Sequence, residues 1–157
     1  EGYRAIAGET LAYFHERILE VHGALTPVLA LGDFNDEPFD RSLVDYAQSS
    51  RNRTKVVRGT TARFLNLMWS LAGLGLGSFW FDNDPNLLDQ FLANENLLKS
   101  DSEIRILPET VDILRFPEMV TSGLYPRPRP YGGMGRPVDA QGFSDHYPIA
   151  VRMVEAN

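Results

Sequence analysis

Residues 27–31 form a short, wholly apolar run that passes directly into the turn Gly32-Asp33-Phe34-Asn35. Such a run is typical of a strand that is buried on both faces, as inside an α/β protein. The turn that follows offers an acid and an amide two residues apart, a spacing that places both side chains on one side of an extended chain. Strand ends are common positions for α/β sites. Asp33 and Asn35 are therefore candidate functional residues, and a turn that caps the next helix is the alternative.

Helices and further strands are predicted around this run. Apolar residues recur at helical spacing over 3–21, and a second helix is predicted over 38–48 with Asp36 as its cap. An irregular loop is predicted over 117–142, where Pro, Gly and Arg accumulate. Further strands are predicted at 78–81, at 87–92, at 104–107 and at the end of the chain, up to 153.

Composition narrows the possible classes of function. The 157 residues are 43% hydrophobic and 23% charged, which suits one globular domain and excludes a disordered or fibrous chain. The formal net charge of −6 argues against a protein that coats nucleic acid, so binding of phosphates requires a local basic patch or a metal ion. The absence of cysteine excludes disulfide frameworks, thiolate zinc sites and cysteine nucleophiles.

The uncharged stretch over 64–81 has the minimum length of a membrane span. Three closely spaced glycines at 73, 75 and 77 interrupt it, which is typical of a buried turn that leads into a strand. We therefore predict buried structure here and no membrane span.

Two further segments carry candidate chemistry. Asp145 beside His146 offers a metal ligand or an orienting carboxylate, together with a donor to an oxyanion, and a solvated turn is the alternative. Asp89 lies in a strand made otherwise largely of Leu and Phe, where a carboxylate is costly unless a partner satisfies it. His146 is a candidate for that partner. An outward-facing position on a half-exposed strand is the alternative for Asp89.

Taken in order, these segments resemble the endonuclease/exonuclease/phosphatase superfamily of metal-dependent phosphoesterases. The resemblance rests on the Gly-Asp-Phe-Asn motif of 32–35, on 77–81 with 88–92, and on Gly-Phe-Ser-Asp-His-Tyr-Pro at 142–148. It covers the C-terminal part of that domain and is closest to the bacterial extracellular-nuclease-like type. It implies an α/β fold that is part of a four-layered α-β-β-α sandwich (DNase I-like), mainly one sheet with its outer helices.

The resemblance also implies roles for five residues. Asp33 would position or deprotonate the attacking water, and Asn35 would hold the scissile phosphate. Asp145 would help to bind Mg²⁺ or Mn²⁺, hard cations that prefer oxygen ligands. His146 would donate to a phosphoryl oxygen as negative charge builds, and Asp89 would orient His146.

By the same resemblance, residues 1–157 are the C-terminal portion of a single domain whose N-terminal half is absent. A sheet without its partner would expose a large apolar face. We therefore expect that face to bind either the missing half or a second copy of the chain. The compartment stays open, with a secreted or periplasmic location favoured over a cytoplasmic one.

The expected function is that of a metal-dependent phosphoester hydrolase, a phosphodiesterase or nuclease in the intact protein, whose substrate is a phosphodiester such as nucleic acid. This fragment alone is expected to be inactive. A phosphatase that acts on a small or lipid phosphoester, and a non-catalytic scaffold that binds a partner, are the alternatives.

Other residues receive simpler interpretations. His15 and His22 are expected at the surface or at a helix end, and Trp69 and Trp80 in the core. A set of basic residues could steer a polyanion or form a solvated face. The set comprises Arg51, Arg53, Lys55, Arg58, Arg127, Arg129 and Arg136.

Overall fold

A four-stranded mixed sheet forms the centre of the fold, in a computed structural model that describes residues 2–133, 135 and 137–156. Helices and short strands surround it, which confirms the predicted α/β class. The strands are β1 (Leu29–Asp33), β2 (Ser49–Ser50), β3 (Phe64–Asn66), β4 (Phe79–Phe81), β5 (Asp84–Asn86), β6 (Asp89–Asn94), β7 (Ile104–Ile113) and β8 (Ile149–Glu155), and the helices are α1 (Gly2–His22) and α2 (Arg53–Val57).

The strand order of the main sheet is β1-β6-β3-β2. β6 pairs antiparallel with both β1 and β3, whereas β2 runs parallel to β3. Two further antiparallel pairs, β4-β5 and β7-β8, lie outside this sheet. The expected single sheet is thus accompanied by two separate strand pairs.

The central strands β3 and β6 are buried on both faces. Successive side chains of a strand point in opposite directions, so each strand contributes to two core clusters. Phe64 and Leu92 pack on one side in a cluster with Leu43 and Ala47. The neighbouring positions in β3 and β6 pack on the other side. That second cluster includes Leu65, Phe91, Ala93, Ile106 and Tyr147.

The prediction that the strand after Pro27 is buried on both faces is wrong. β1 is only partly buried: Leu29 packs against one core cluster and Ala30 against the other, whereas Leu31 is 60% exposed. Among the described strands, β1 pairs with β6 alone. An apolar run indicates that a strand favours burial, but it does not show which parts of the described chain pack against each of its residues.

The first helix is confirmed, over Gly2–His22, but its apolar stripe does not form the contact with the sheet. Gly8 and His15 are its buried residues. Gly8 allows a close approach, because a Cβ there would overlap the carbonyl oxygen of Ser42. The apolar residues left exposed on this helix include Tyr3, Ile6, Tyr13, Phe14 and Val21.

The predicted second helix over 38–48 is reduced to a short π-helix, Ser42–Tyr46. Asp36 does not act as a simple cap. Its buried carboxylate lies 2.7 Å from Nε of Arg4 and accepts a hydrogen bond from the hydroxyl of Ser42. Asp36 therefore joins α1 to the loop that follows the site, a tertiary role that local sequence does not reveal.

A buried amide network holds the loop after β1 against the start of β6. Gln90 is fully buried, and its Nε2 donates to the backbone carbonyls of Asp36, at 3.0 Å, and Leu87. Its Oε1 accepts a hydrogen bond of 2.9 Å from Nδ2 of Asn66. A single side chain thus satisfies groups from three segments, which fixes their relative positions.

The segment over 64–81 forms β3, a 3₁₀ turn over Leu67–Ser70, a glycine-rich turn and β4. None of the helices in the described chain has the length and apolar character needed to cross a membrane. The loop over 117–142 contains one 3₁₀ turn and two isolated bridges in its described part, as expected for irregular structure.

His15 is buried, which corrects its predicted surface position. Its ring stacks on Phe64 with 4.1 Å between centroids, and its Nε2 has no hydrogen-bond partner among the described residues. Burial lowers the pKa of His15 from 6.5 to about 4, against the opposing charge of Glu95.

Replacing Gln90 with Ala should lower the free energy of unfolding by about 2–4 kcal/mol, because the change leaves buried groups of Asn66 and Asp36 without partners. Urea unfolding monitored by circular dichroism measures this difference. Gln141→Ala, at an exposed position, should cost less than about 0.5 kcal/mol. Equal effects of the two substitutions would contradict the role given to Gln90.

Stability should fall as the pH decreases from 6.5 to 4. Over this range the unfolded chain binds a proton at His15 that the folded chain excludes, so the loss reaches at most about 3 kcal/mol. Unfolding curves recorded at several pH values test this, with His15→Leu as the comparison. An equally steep pH dependence in that variant would refute the assignment to His15.

Candidate functional site

Two carboxylates meet where β1 ends and β6 begins. The antiparallel register pairs Asp33 directly with Asp89, so both acids lie at the same end of the sheet. Such directly opposed positions bring Cβ atoms within about 4.5–5.5 Å. The pairing of the two strands therefore places a second acid beside the motif of 32–35.

Asp33 and Asn35 contact each other through a turn. The backbone N–H of Asn35 donates to Oδ1 of Asp33 at 2.8 Å, and its Nδ2 donates to Oδ2 at 3.1 Å. Asn35 adopts a φ of 52°, a left-handed conformation that Asn tolerates better than most residues. β1 ends at Asp33, so this turn replaces the strand alternation expected from sequence and leaves both side chains exposed.

Asp89 and His146 form a hydrogen-bonded pair. Oδ2 of Asp89 lies 2.7 Å from Nδ1 of His146, and both side chains are half-buried. A carboxylate at Nδ1 fixes the orientation of the ring and leaves Nε2 available for another partner. The ring of Phe79 packs against the imidazole with centroids 4.8 Å apart. These contacts restrict the imidazole to one position at the site.

Ser78 positions both members of this pair. Its hydroxyl accepts a bond from the backbone N–H of Asp89 at 3.3 Å, and its carbonyl accepts one from Tyr147 at 2.7 Å. Ser78 is fully buried immediately before β4. One residue thus connects β6 with the turn that carries His146.

The turn that carries His146 is fixed by local contacts. The backbone N–H of His146 donates to the hydroxyl of Ser144 at 3.1 Å, and Phe143 donates its N–H to the carbonyl of Arg129 at 2.8 Å. Gly142 permits this approach, because a Cβ there would overlap the carbonyl oxygen of Pro130. The long loop is therefore anchored next to the site.

Asp145 is exposed and lines a neighbouring cavity of about 220 Å³. It is not among the three ligand-bearing residues that come together most closely, which are Asp33, Asp89 and His146. Each of those three offers one ligand atom, and the atoms lie within 4.8 Å of one another. The structure thus brings Asp33, Asn35, Asp89 and His146 together and places Asp145 to one side.

Two carboxylates with an imidazole nitrogen form a donor set that suits a divalent cation. The hydrogen bond to Asp89 occupies Nδ1 of His146, so this ring could reach a metal only through Nε2. The exposed carboxylate of Asp33 retains free lone pairs beside its two bonds to Asn35. The residues present therefore fit a hard cation, with carboxylate oxygens as its principal ligands.

Sequence reasoning missed two residues that support the site. Ser78 carries no local signal, because its contacts are formed with distant backbone groups. Glu37 carries no local signal either. Its Oε1 accepts a bond from the backbone N–H of Leu87 at 3.1 Å, and burial raises the pKa of its carboxyl.

The basic residues of the loop over 117–142 are not all available to bind an anion. Arg129 binds Asp139 through Nε at 2.7 Å and Nη2 at 3.1 Å, and these hydrogen bonds lower the pKa of that carboxyl. Arg127 lines the cavity beside Asp145. Arg136 lies outside the described residues.

The family model described as the Endonuclease/Exonuclease/phosphatase family matches residues 4–155 of this chain. Neither the curated proteins nor the solved structures contain a significant match. The family match indicates a phosphoester hydrolase of nuclease or phosphatase type, a class that typically depends on divalent metal ions.

In its neutral form, His146 should carry its proton on Nδ1, because the carboxylate of Asp89 accepts from that atom. Nitrogen-15 NMR of the labelled imidazole distinguishes the two tautomers by their chemical shifts. Asp89→Leu should return the ring to a mixture of tautomers, whereas Asp84→Leu, in the β5 strand, should not. A proton found on Nε2 in the unaltered protein would contradict the observed geometry.

Proposed function

This chain belongs to the endonuclease/exonuclease/phosphatase family, and on that basis we propose that it forms part of a metal-dependent hydrolase that cleaves phosphodiester bonds by attack of water. The observation that carries the proposal is the hydrogen-bonded pair of Asp89 and His146 beside the exposed Asp33 and Asn35. An in-line displacement at phosphorus requires carboxylates and oriented hydrogen-bond donors that lie close together.

His146 stabilises the negative charge that develops on a phosphoryl oxygen. In the imidazolium form, Nδ1 donates to Asp89 and Nε2–H is free to donate to a phosphoryl oxygen. Asp89 positions the ring and compensates its charge. Because the pair is already oriented, little reorganisation is needed when the transition state forms.

Asp33 and Asn35 act on the water and the phosphate. The carboxylate of Asp33 accepts a proton from the attacking water or holds that water in line. Nδ2 of Asn35 has one hydrogen in its bond to Asp33 and a second hydrogen free for a phosphoryl oxygen. An amide binds that oxygen without adding charge to the site.

Asp145 is the proposed ligand of Mg²⁺ or Mn²⁺. When bound, such a cation neutralises charge on the phosphate and assists the departure of the leaving oxygen. The exposed position of Asp145 leaves its oxygens accessible for this role.

We further propose that these residues form the C-terminal portion of one domain, and that another part of the same domain or a second copy covers their apolar surface. The exposed apolar residues of α1 and the 60% exposure of Leu31 in the edge strand support this. Large contiguous apolar patches are uncommon on monomers and usually mark an interface. The site would then be completed only in the assembled domain.

In the intact protein, His146→Ala should reduce hydrolysis of bis-(p-nitrophenyl) phosphate by about 10²–10⁴-fold with Mg²⁺ or Mn²⁺, because it removes the oriented donor. Asp89→Asn should lower kcat more than it raises KM, since Asp89 acts through His146. His22→Ala, at the exposed end of α1, is the matched control and should be near normal.

Near-normal turnover in His146→Ala would overturn the assignment of this role. Faster hydrolysis of p-nitrophenyl phosphate than of the diester would instead indicate a phosphatase. Absence of metal-dependent hydrolysis of either ester by the intact protein would favour a non-catalytic scaffold.

A further inference from the structure

A second cavity, of about 640 Å³, lies away from the Asp89–His146 pair. None of the residues with proposed catalytic roles lines it. Its lining combines basic, aromatic and small polar side chains. The lining residues used below are Phe39, Ser49, Arg51, Lys55, Arg63 and Trp69.

The topology places this cavity at the same end of the sheet as the candidate site. β1, β3 and β2 run in the same direction, since both β1 and β3 are antiparallel to β6 and β2 is parallel to β3. Asp33 ends β1, Trp69 lies in the turn after β3, and Arg51 follows β2. Neighbouring strands lie about 4.8 Å apart, so two strand widths offset Arg51 from β6 by about 10 Å.

The cavity is a local concentration of positive charge in a chain with a net charge of −6. Arg51, Lys55 and Arg63 line it, and none of the three forms an ion pair within the described part of the chain. The acid in the lining, Asp45, is paired with Arg41 at 2.9 Å. The three cations are thus available to an anionic ligand.

Aromatic rings adjoin these cations. The guanidinium of Arg51 lies 5.3 Å from the centroid of the Trp69 ring, a cation–π contact that holds it at the cavity. Phe39 is 55% exposed and contacts Trp69 edge-on with centroids 6.1 Å apart. An exposed ring beside a fixed guanidinium is a surface on which nucleic-acid bases stack.

Two polar atoms of the lining residues have no partner. The hydroxyl of Ser49, a residue that is 2% exposed, and Nε1 of Trp69 are both buried without a hydrogen bond to any described residue. Buried polar atoms are normally satisfied, and an unsatisfied one costs about 1–3 kcal/mol. Both atoms are inaccessible to solvent, so the anion site rests on the three cations and the adjoining aromatic rings.

We propose that this cavity binds a backbone phosphate and an adjacent base of a nucleic-acid strand whose scissile phosphate lies at the Asp89–His146 pair. The inference rests on the proposed function and specifies its substrate class. A small phosphoester has one phosphate and cannot place a second anion two strands away from the first, an offset of about 10 Å across the sheet. A nucleic-acid strand does so within a few nucleotides, at about 3.4 Å of rise each.

The test is binding of a fluorescein-labelled oligothymidine of about twelve nucleotides to the intact protein in EDTA, followed by fluorescence anisotropy. The double variant Arg51→Ala/Lys55→Ala should bind at least about 10-fold more weakly, and its salt dependence should be shallower by about 0.7 in slope, for the one phosphate whose contact is lost. Arg58→Ala, an exposed cation outside the lining, is the matched control and should bind normally.

The same double variant should hydrolyse bis-(p-nitrophenyl) phosphate at the unaltered rate, because its substitutions lie outside the proposed catalytic residues. Oligothymidine binding equal to that of the unaltered protein, or an equal loss in Arg58→Ala, would overturn the inference. So would lost binding to phosphatidylserine vesicles with oligothymidine binding intact, since that identifies a lipid headgroup. Failure of diester hydrolysis with the binding difference preserved would refute the catalytic proposal alone.

Discussion

The position of the candidate site depends on the buried amide of Gln90. This side chain bonds to Asn66, to the backbone of Asp36 and to the backbone of Leu87, so it joins the end of β3, the loop after β1 and the start of β6. The candidate catalytic groups project from those same segments or pack against them. Because a buried amide must be hydrogen-bonded, the segments are held in the one arrangement that satisfies Gln90. An apolar side chain forms no directional bonds, so it would allow several arrangements. The geometry of Asp33 and Asp89 is a consequence of that arrangement.

The local sequence pattern predicted most of the helices and strands, but not the tertiary contacts around them. The first helix and the strands near 29–33, 79–81 and 104–113 follow from apolar spacing and turn residues. The exposure of Leu31, the burial of His15 and the shortened second helix follow from tertiary contacts. His15 packs on Phe64, and Asp36 pairs with Arg4. The partners in each contact are far apart in sequence, so the local spacing of apolar residues does not predict them.

Sequence predicted the part of the candidate site in which one side chain requires a hydrogen-bond partner. An acid in an apolar strand needs a partner, and the contact between Asp89 and His146 is present at 2.7 Å. Ser78 and Glu37 could not be found in this way, because they bind backbone groups far away in sequence. Asp145 lies beside the cluster, and its role as a metal ligand stays a prediction.

The chain therefore combines an acidic overall charge with two features that suit anions at one end of a sheet: the candidate catalytic groups around the Asp89–His146 pair, and a basic aromatic cavity two strands away. We propose that the first of these holds a divalent cation against a phosphodiester. Anomalous X-ray diffraction from crystals of the intact protein grown with Mn²⁺ would locate that cation. We expect an anomalous peak within bonding distance of the carboxylate of Asp145, on the side of Asp33 and Asp89. A peak elsewhere, with the carboxylates of Asp33, Asp89 and Asp145 all unligated, would contradict it.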